Sequence, residues 1–373
     1  MKLCVFPNDP IYTYYEKGEI KERYFNPCNI FDELHIISLT DKDVEESKVQ
    51  AIAGKAKLKI HGVGKINVFN RKQNVKRIKE LVQTINPDVI RSYNALVEGW
   101  LASICSSELD IPLFVSLHTQ YDYRRRFYKK TNLKKYLALK YTEKFIEPFV
   151  LKKADKITII YKIIEPYVIR HGGKKPELLY NRIDYERFSN ATQIESLQKP
   201  LIISVGNLIK EKYHQCIIEA MKQIDAHCLI IGNGYLYDEL VNLIKKTNQE
   251  NKITIIKSVP NHEIPRYYKS AQVFALAYDP ELEGLPIPVM EAMAAGLPVI
   301  IPYPKGKYSD GLEEIALFSE RNPLSFAQNI NRVLHDPILH KELSLKSLSK
   351  AKDFDSSIIE KREAEIYTEL VAK

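Results

Sequence analysis

The chain has 373 residues, 45% apolar and 27% charged, with a formal net charge of +8. That length suits two cores rather than one, and the composition is that of a globular protein. The apolar runs are strand-sized, so no membrane span is expected, and five cysteines without a C-x-x-C pair argue against a disulfide framework or a zinc site.

Met1 to Pro7 lacks a signal-peptide core and reads as a first strand, and a cytoplasmic location is expected. Taken along the chain, the first half predicts strands at 2–6, 34–39, 88–91, 113–117 and 156–161, with helical patterns at 75–85 and 96–106 between them. After the polar stretch 189–199, strands are predicted at 201–205, 227–231, 253–256, 273–277 and 298–301. Helices follow them at 213–223, 236–246, 263–269 and 289–294. Such alternation predicts α/β architecture: two Rossmann-like, doubly wound parallel sheets, each binding ligands at the carboxyl ends of its strands. The expected division is 1–188, 189–355 and a last helical tract, 356–373.

Charge is unevenly placed. Residues 124–153 hold eleven Lys and Arg against two Glu, a surplus of nine, while the rest of the chain holds 44 basic and 45 acidic residues. Leu133, Leu137, Tyr141 and Phe145 recur every fourth residue, which predicts one amphipathic helix ending near Pro148. A basic face beside an apolar stripe suits an anionic membrane surface, and a helix packed on its own domain with a solvated basic face is the plainer alternative. No nucleic-acid module accompanies it, and none is expected.

The densest signal is Glu283-Gly-Leu-Pro-Ile-Pro-Val-Met-Glu291, followed by Ala-Met-Ala-Ala-Gly-Leu-Pro-Val. It sets two carboxylates eight residues apart at a strand–loop–helix junction. Pro288 suits the first helical position and Gly296 the position just past the end. Free N–H groups at such a helix start favour a phosphate, and neighbouring carboxylates can accept hydrogen bonds from sugar hydroxyls.

This segment resembles the E-x7-E signature of retaining glycosyltransferases with the GT-B fold, glycosyltransferase family four. The resemblance implies two domains facing across a cleft, a C-terminal helix that crosses back to the first domain, and a nucleotide-sugar donor such as a UDP- or GDP-sugar. It implies no other cofactor. Glu291 would bind the ribose and Glu283 the donor sugar, with Gly284 and Leu285 offering amides to the diphosphate.

Gly206-Asn-Leu-Ile-Lys-Glu-Lys212 is similar to the family's phosphate-holding loop, with Lys212 in place and Asn207 where Arg is usual. Gly232 and Gly234 resemble the turn near the base, His118 at a strand end a histidine facing the donor sugar, and Gly18 a reduced Gly-Gly loop. Tyr180-Asn-Arg-Ile-Asp184 resembles the segment that closes the first domain. Asp41-Lys-Asp43 has the spacing of a metal-binding pair, but Glu45 and Glu46 follow it, and it reads as an acidic surface loop. No metal is expected. The function expected is sugar transfer to a hydroxyl acceptor, lipid-linked or a cell-surface glycan precursor, at the cytoplasmic membrane face. Alternatives are a non-catalytic partner subunit and a sugar-nucleotide epimerase.

Overall fold

The computed structural model describes residues 1–304, 306 and 308–372. The chain forms two compact units, Met1–Tyr180 together with the residues from Glu360 on, and Asn181–Ile359.

The first unit is built on seven parallel strands: β1 (Lys2–Phe6), β2 (Glu33–Ser38), β3 (Lys57–Gly62), β4 (Val89–Ser92), β5 (Leu113–Leu117), β6 (Lys156–Ile159) and β7 (Glu177–Leu178). Their order is β3-β2-β1-β4-β5-β6-β7. Registers such as Leu3 beside both Leu34 and Val89 bury side chains on both faces, which is why β1 and β5 read as near-continuous apolar runs. Strands β3 and β7 escape the sequence reading because they are edges. β3 alternates exposed lysines with buried Leu58, and β7 has only two residues. The helices fall near the expected places, at Arg71–Ile85 and Val97–Leu109.

The final helix, Ser356–Val371, carries first-unit contacts from Glu360 onward. Tyr367 is buried with its ring 4.8 Å from Phe31 and 5.2 Å from Phe114, both edge-on. Arg91, buried on β4, pairs with Glu363 and donates to the Tyr367 hydroxyl at 2.6 Å. Arg23 meets Glu360 at 2.6 Å. A buried guanidinium with an acid and a phenol around it has its desolvation offset by these bonds, so the helix is fixed at one register.

The second unit has six parallel strands: β8 (Leu201–Val205), β9 (His227–Ile231), β10 (Ile253–Ile256), β11 (Val273–Ala275), β12 (Val299–Pro302) and β13 (Ala316–Ser319). Their order is β10-β9-β8-β11-β12-β13. Ile202, Ile230, Val273 and Ile300 pack with Ile217, Leu240 and Phe326 from the helices to make its core. The order reverses between β8 and β11, and the loops leaving those two strands flank the crevice where such sheets take ligands. The division between units falls ahead of the polar stretch 189–199. The short helix Tyr185–Ser189, capped by Asp184, sits with the second unit, where Phe188 packs on Tyr268 at 5.6 Å.

Candidate active site

The loop leaving β8 is held against the turn leaving β9. Gly206 N–H donates to the Ile231 carbonyl at 3.0 Å, Leu208 N–H to Asn233 at 2.8 Å, and Leu236 N–H returns to Leu208 at 3.1 Å. A Cβ on Gly232 would lie 1.9 Å from the Gly206 carbonyl oxygen, and one on Gly234 would lie 2.4 Å from that of Leu208. Both glycines are therefore required for two backbones to touch, a structural reason independent of any ligand. Asn207 is exposed on this loop.

The loop then tightens into a short turn, Lys210–Lys212, and Tyr213 follows in the left-handed region at φ 47°. The turn buries the Lys212 stem and brings Nζ to 2.6 Å from Glu283 Oε2. Glu283 comes from the loop after β11, which is tied to the same turn by Asp279 N–H donating to the Glu211 carbonyl at 2.8 Å. Within that loop Glu283 N–H donates to the Asp279 carbonyl, and the buried Tyr278 hydroxyl donates to the Gly284 carbonyl at 2.8 Å. An ammonium and a carboxylate, both largely withdrawn from solvent, thus converge at the sheet's switch point.

Helix Ile287–Ala294 begins directly afterwards at Pro286, with Leu285 buried beneath it and Gly284 partly exposed. Its own length is set by Gly296 at φ 81°, where the N–H groups of Gly296 and Leu297 close onto Met293 and Ala292. Glu291 lies in the second turn, partly exposed, and accepts from the buried Tyr268 hydroxyl at 3.0 Å. Burial pushes the Tyr268 phenol well up, and the Glu291 charge adds to this, so Tyr268 is a donor that fixes the carboxylate's direction.

Two neighbours were not anticipated from the sequence. His214, buried just past Lys212, has its pKa pulled down to about 4, first by burial and then by the Lys212 charge, so it is neutral at pH 7. Arg321, just after β13, donates from Nε to the Ala277 carbonyl at 3.2 Å, packs over the Tyr213 ring at 5.1 Å and lies 3.8 Å from Asp279. Its distance along the chain hides it from any local motif.

In the first unit, His118 follows β5 with its ring 5.4 Å from Tyr93. Its pKa is lowered to about 4 by burial and then by the Arg91 and Lys21 charges, so it too is a neutral imidazole at pH 7. Gly18 follows helix Ile11–Glu16 at φ 67°, exposed, with no described residue within 4 Å of where a Cβ would lie. Asp43 accepts from the N–H groups of Ile11 and Tyr12 at 2.9 and 2.6 Å and from the Ser38 hydroxyl at 2.5 Å, so it anchors that helix. Among the described residues no cluster of three or more His, Cys, Asp or Glu is placed to hold a metal ion.

The expected helix carrying the apolar stripe is present and ends ahead of Pro148, but the stretch leading into it is helical too, so the basic segment holds more than one helix. It is three helices, Asp122–Thr131, Leu133–Phe145 and Glu147–Lys153, broken where the Asn132 side chain caps the second and where Pro148 opens the third. Arg125 belongs to the interior: it meets Glu147 and Asp122, each at 2.8 Å, and Glu143 at 3.6 Å. The apolar stripe forms and faces outward. Leu133, Leu137, Tyr141 and Phe145 are 66, 57, 39 and 53% exposed.

Two family profiles divide the chain between them. Glycosyltransferase Family 4 matches residues 32–187, and Glycosyl transferases group 1 matches residues 186–349. The chain belongs to the group 1 glycosyltransferases. Its fold is GT-B: it resembles Anabaena HepE, solved in complex with UDP, with a TM-score of 0.76 over 99% of this chain and 100% of that one, at 16% identity.

Among curated glycosyltransferases, a Campylobacter jejuni N-acetylgalactosaminyltransferase acting on a diphospho-undecaprenol-linked sugar is 33% identical over 49% of this chain. The Acholeplasma laidlawii alpha-monoglucosyldiacylglycerol synthase is 24% identical over 80% of this chain and 79% of its own. The chain spans about half the length of the Campylobacter relative and of a Haemophilus influenzae glycosyltransferase that it also matches, 50% and 47%.

Proposed function

We propose that the protein is a retaining glycosyltransferase that moves a sugar from a nucleotide donor, such as a UDP- or GDP-sugar, to a hydroxyl of a lipid-linked or cell-surface glycan precursor. The observation that carries this reading is the Lys212–Glu283 pair at 2.6 Å, beside the start of helix Ile287–Ala294. As the glycosidic bond breaks, the leaving diphosphate gains charge. Lys212, held by its buried stem, and the amides of Gly284 and Leu285 stabilise that gain. Glu283 is released from Lys212 to accept hydroxyls of the donor sugar, and Glu291, steadied by Tyr268, accepts those of the ribose. With no nucleophile assigned, retention proceeds by attack on the same face, the departing phosphate taking the acceptor's proton. No divalent metal is required.

The names of the relatives support a membrane-borne acceptor, and so does the exposed basic and apolar surface of 124–153, which would rest on anionic lipid. No described helix is long and apolar enough to cross a membrane. A second reading, a non-catalytic partner subunit, draws on Asn207, which is exposed and uncharged where the resemblance places a phosphate-binding cation.

A thermal-shift panel of UDP-, GDP- and ADP-sugars tests the donor class, since a ligand at 100 times its dissociation constant stabilises by about 2.7 kcal/mol. One sugar nucleotide and its free diphosphate should both raise Tm. No shift with any of them contradicts the reading.

A further inference from the structure

The first unit contains a second concentration of charge, to which the sugar-transfer step itself assigns no ligand. A cavity of about 460 Å³ opens between helices Asp122–Thr131 and Leu133–Phe145, with Arg170 at its edge. Five cationic side chains line it against two carboxylates. Both carboxylates are already engaged: Asp122 by Arg125 and Arg170, and Glu143 by Lys140 and Arg125. Arg125 is itself anchored to the buried Glu147. Counting Glu147, a positive surplus of two remains, turned into a concave space where several cations can converge on one anion.

The second helix has two functional faces. Tyr136, Lys140 and Glu143, at i, i+4 and i+7, line the cavity. Leu133, Leu137, Tyr141 and Phe145 form the adjoining face, one residue on and so about 100° round the helix. That stripe is exposed along its whole length. Leu133, Leu137 and Phe145 in water, with Tyr141 between them partly covered by Arg71 at 5.1 Å from its ring, match beside a cationic cavity a ligand with an anionic head and an apolar chain, not a soluble sugar.

We propose that this cavity holds the diphosphate of a lipid whose apolar chain lies along Leu133, Leu137, Tyr141 and Phe145. The proposal rests on the reading that the acceptor is lipid-linked, and it names the part of the acceptor that this surface recognises. Guanidinium and ammonium groups from two helices and Arg170 satisfy the phosphate oxygens by charge-assisted hydrogen bonds, which a flat lipid surface outside the concavity does not receive. The stripe gives the chain a route out of the cavity.

Calorimetry on the full chain with farnesyl diphosphate, sodium pyrophosphate and farnesol tests this. The variants are Lys129→Ala/Lys140→Ala and Leu133→Ser/Leu137→Ser, all at exposed positions, with circular dichroism as the fold control. Wild type should bind farnesyl diphosphate at least tenfold more tightly than pyrophosphate, and farnesol weakly. The lysine variant should lose about tenfold or more for farnesyl diphosphate, the size of lost charge-assisted bonds. The leucine variant should bring farnesyl diphosphate down to the level of pyrophosphate.

Equal affinity in wild type and the lysine variant overturns the proposal, because the diphosphate is then held elsewhere. So does recruitment to phosphatidylglycerol vesicles without farnesyl diphosphate binding, which makes the surface a general headgroup contact. Nucleotide release from a sugar nucleotide, measured on the same samples, separates the two readings. Release without lipid diphosphate binding removes only this proposal. Lysine-dependent binding without release removes only the transferase reading.

Discussion

The Lys212 ammonium lies 2.6 Å from the Glu283 carboxylate, although the two residues are 71 positions apart in the chain. They stand on the loops that leave β8 and β11, the two strands where the sheet order reverses. On the proposed reading, a ligand's phosphate takes over the lysine from the acid at this place.

Replacing Glu283 by Gln leaves a mostly buried ammonium without its charge partner. Stability should fall by about 1–3 kcal/mol, a Tm loss of roughly 2–12 °C for a unit of this size. Binding of the sugar donor should weaken more than binding of the free nucleoside diphosphate, since the lysine is freed for phosphate while the sugar contact is lost. Calorimetry with both ligands checks this, and equal weakening of the two would count against the division of roles.

Glu291→Gln should weaken donor and free nucleoside diphosphate alike, by about tenfold, as expected for a hydrogen bond to a charged acceptor. Tyr268→Phe should give a smaller effect in the same direction, because it only unfixes the carboxylate. A Glu291 variant that discriminates between the two ligands would place Glu291 at the sugar instead of the ribose.

The sheet alternation was legible because buried parallel strands are continuous apolar runs, as in Leu113–Leu117. The paired acids were legible because a strand, a Pro-started helix and a Gly stop enclose them within one short segment. What stayed hidden depends on contacts between distant residues. Nothing local distinguishes Arg125 from Arg124 and Arg126, yet only Arg125 meets Glu147 and is buried. The four-residue repeat gave the stripe on 133–145 correctly, but not that it points outward, since periodicity marks a face without saying what covers it. Asn132 breaks the segment by capping, a role its neighbours' charge obscured.

Acidification should destabilise the fold through His214. Its folded pKa, about 4, lies below the 6.5 of an unperturbed histidine, so the unfolded chain binds the proton more readily. The stability contributed by keeping it neutral is complete above pH 6.5 and is lost as the pH falls towards 4. Urea melts at pH 7 and pH 5 should show a larger loss for wild type than for His214→Gln. A loss of the same size in both would remove His214 from the account.

The membrane-facing role is tested by charge reversal at positions the structure leaves exposed. Arg124→Glu/Lys130→Glu/Lys134→Glu should abolish co-sedimentation with anionic liposomes while nucleotide release continues. Wild-type binding should fade between 0.1 and 1 M salt, as the Debye length falls from about 10 to 3 Å. Arg125→Glu should instead unfold the region around Glu147, since it sets like charges together in the interior. Liposome binding that is indifferent to both salt and the triple reversal would mean that the basic face is only solvated.

Release of nucleoside diphosphate from the sugar nucleotide selected by thermal shift, compared between wild type and Lys212→Ala, tests the central claim most directly. The loss of one preorganised group that stabilises the leaving diphosphate should lower turnover roughly 100- to 1,000-fold, with the variant still folded. Turnover near the wild-type rate in Lys212→Ala would contradict the account.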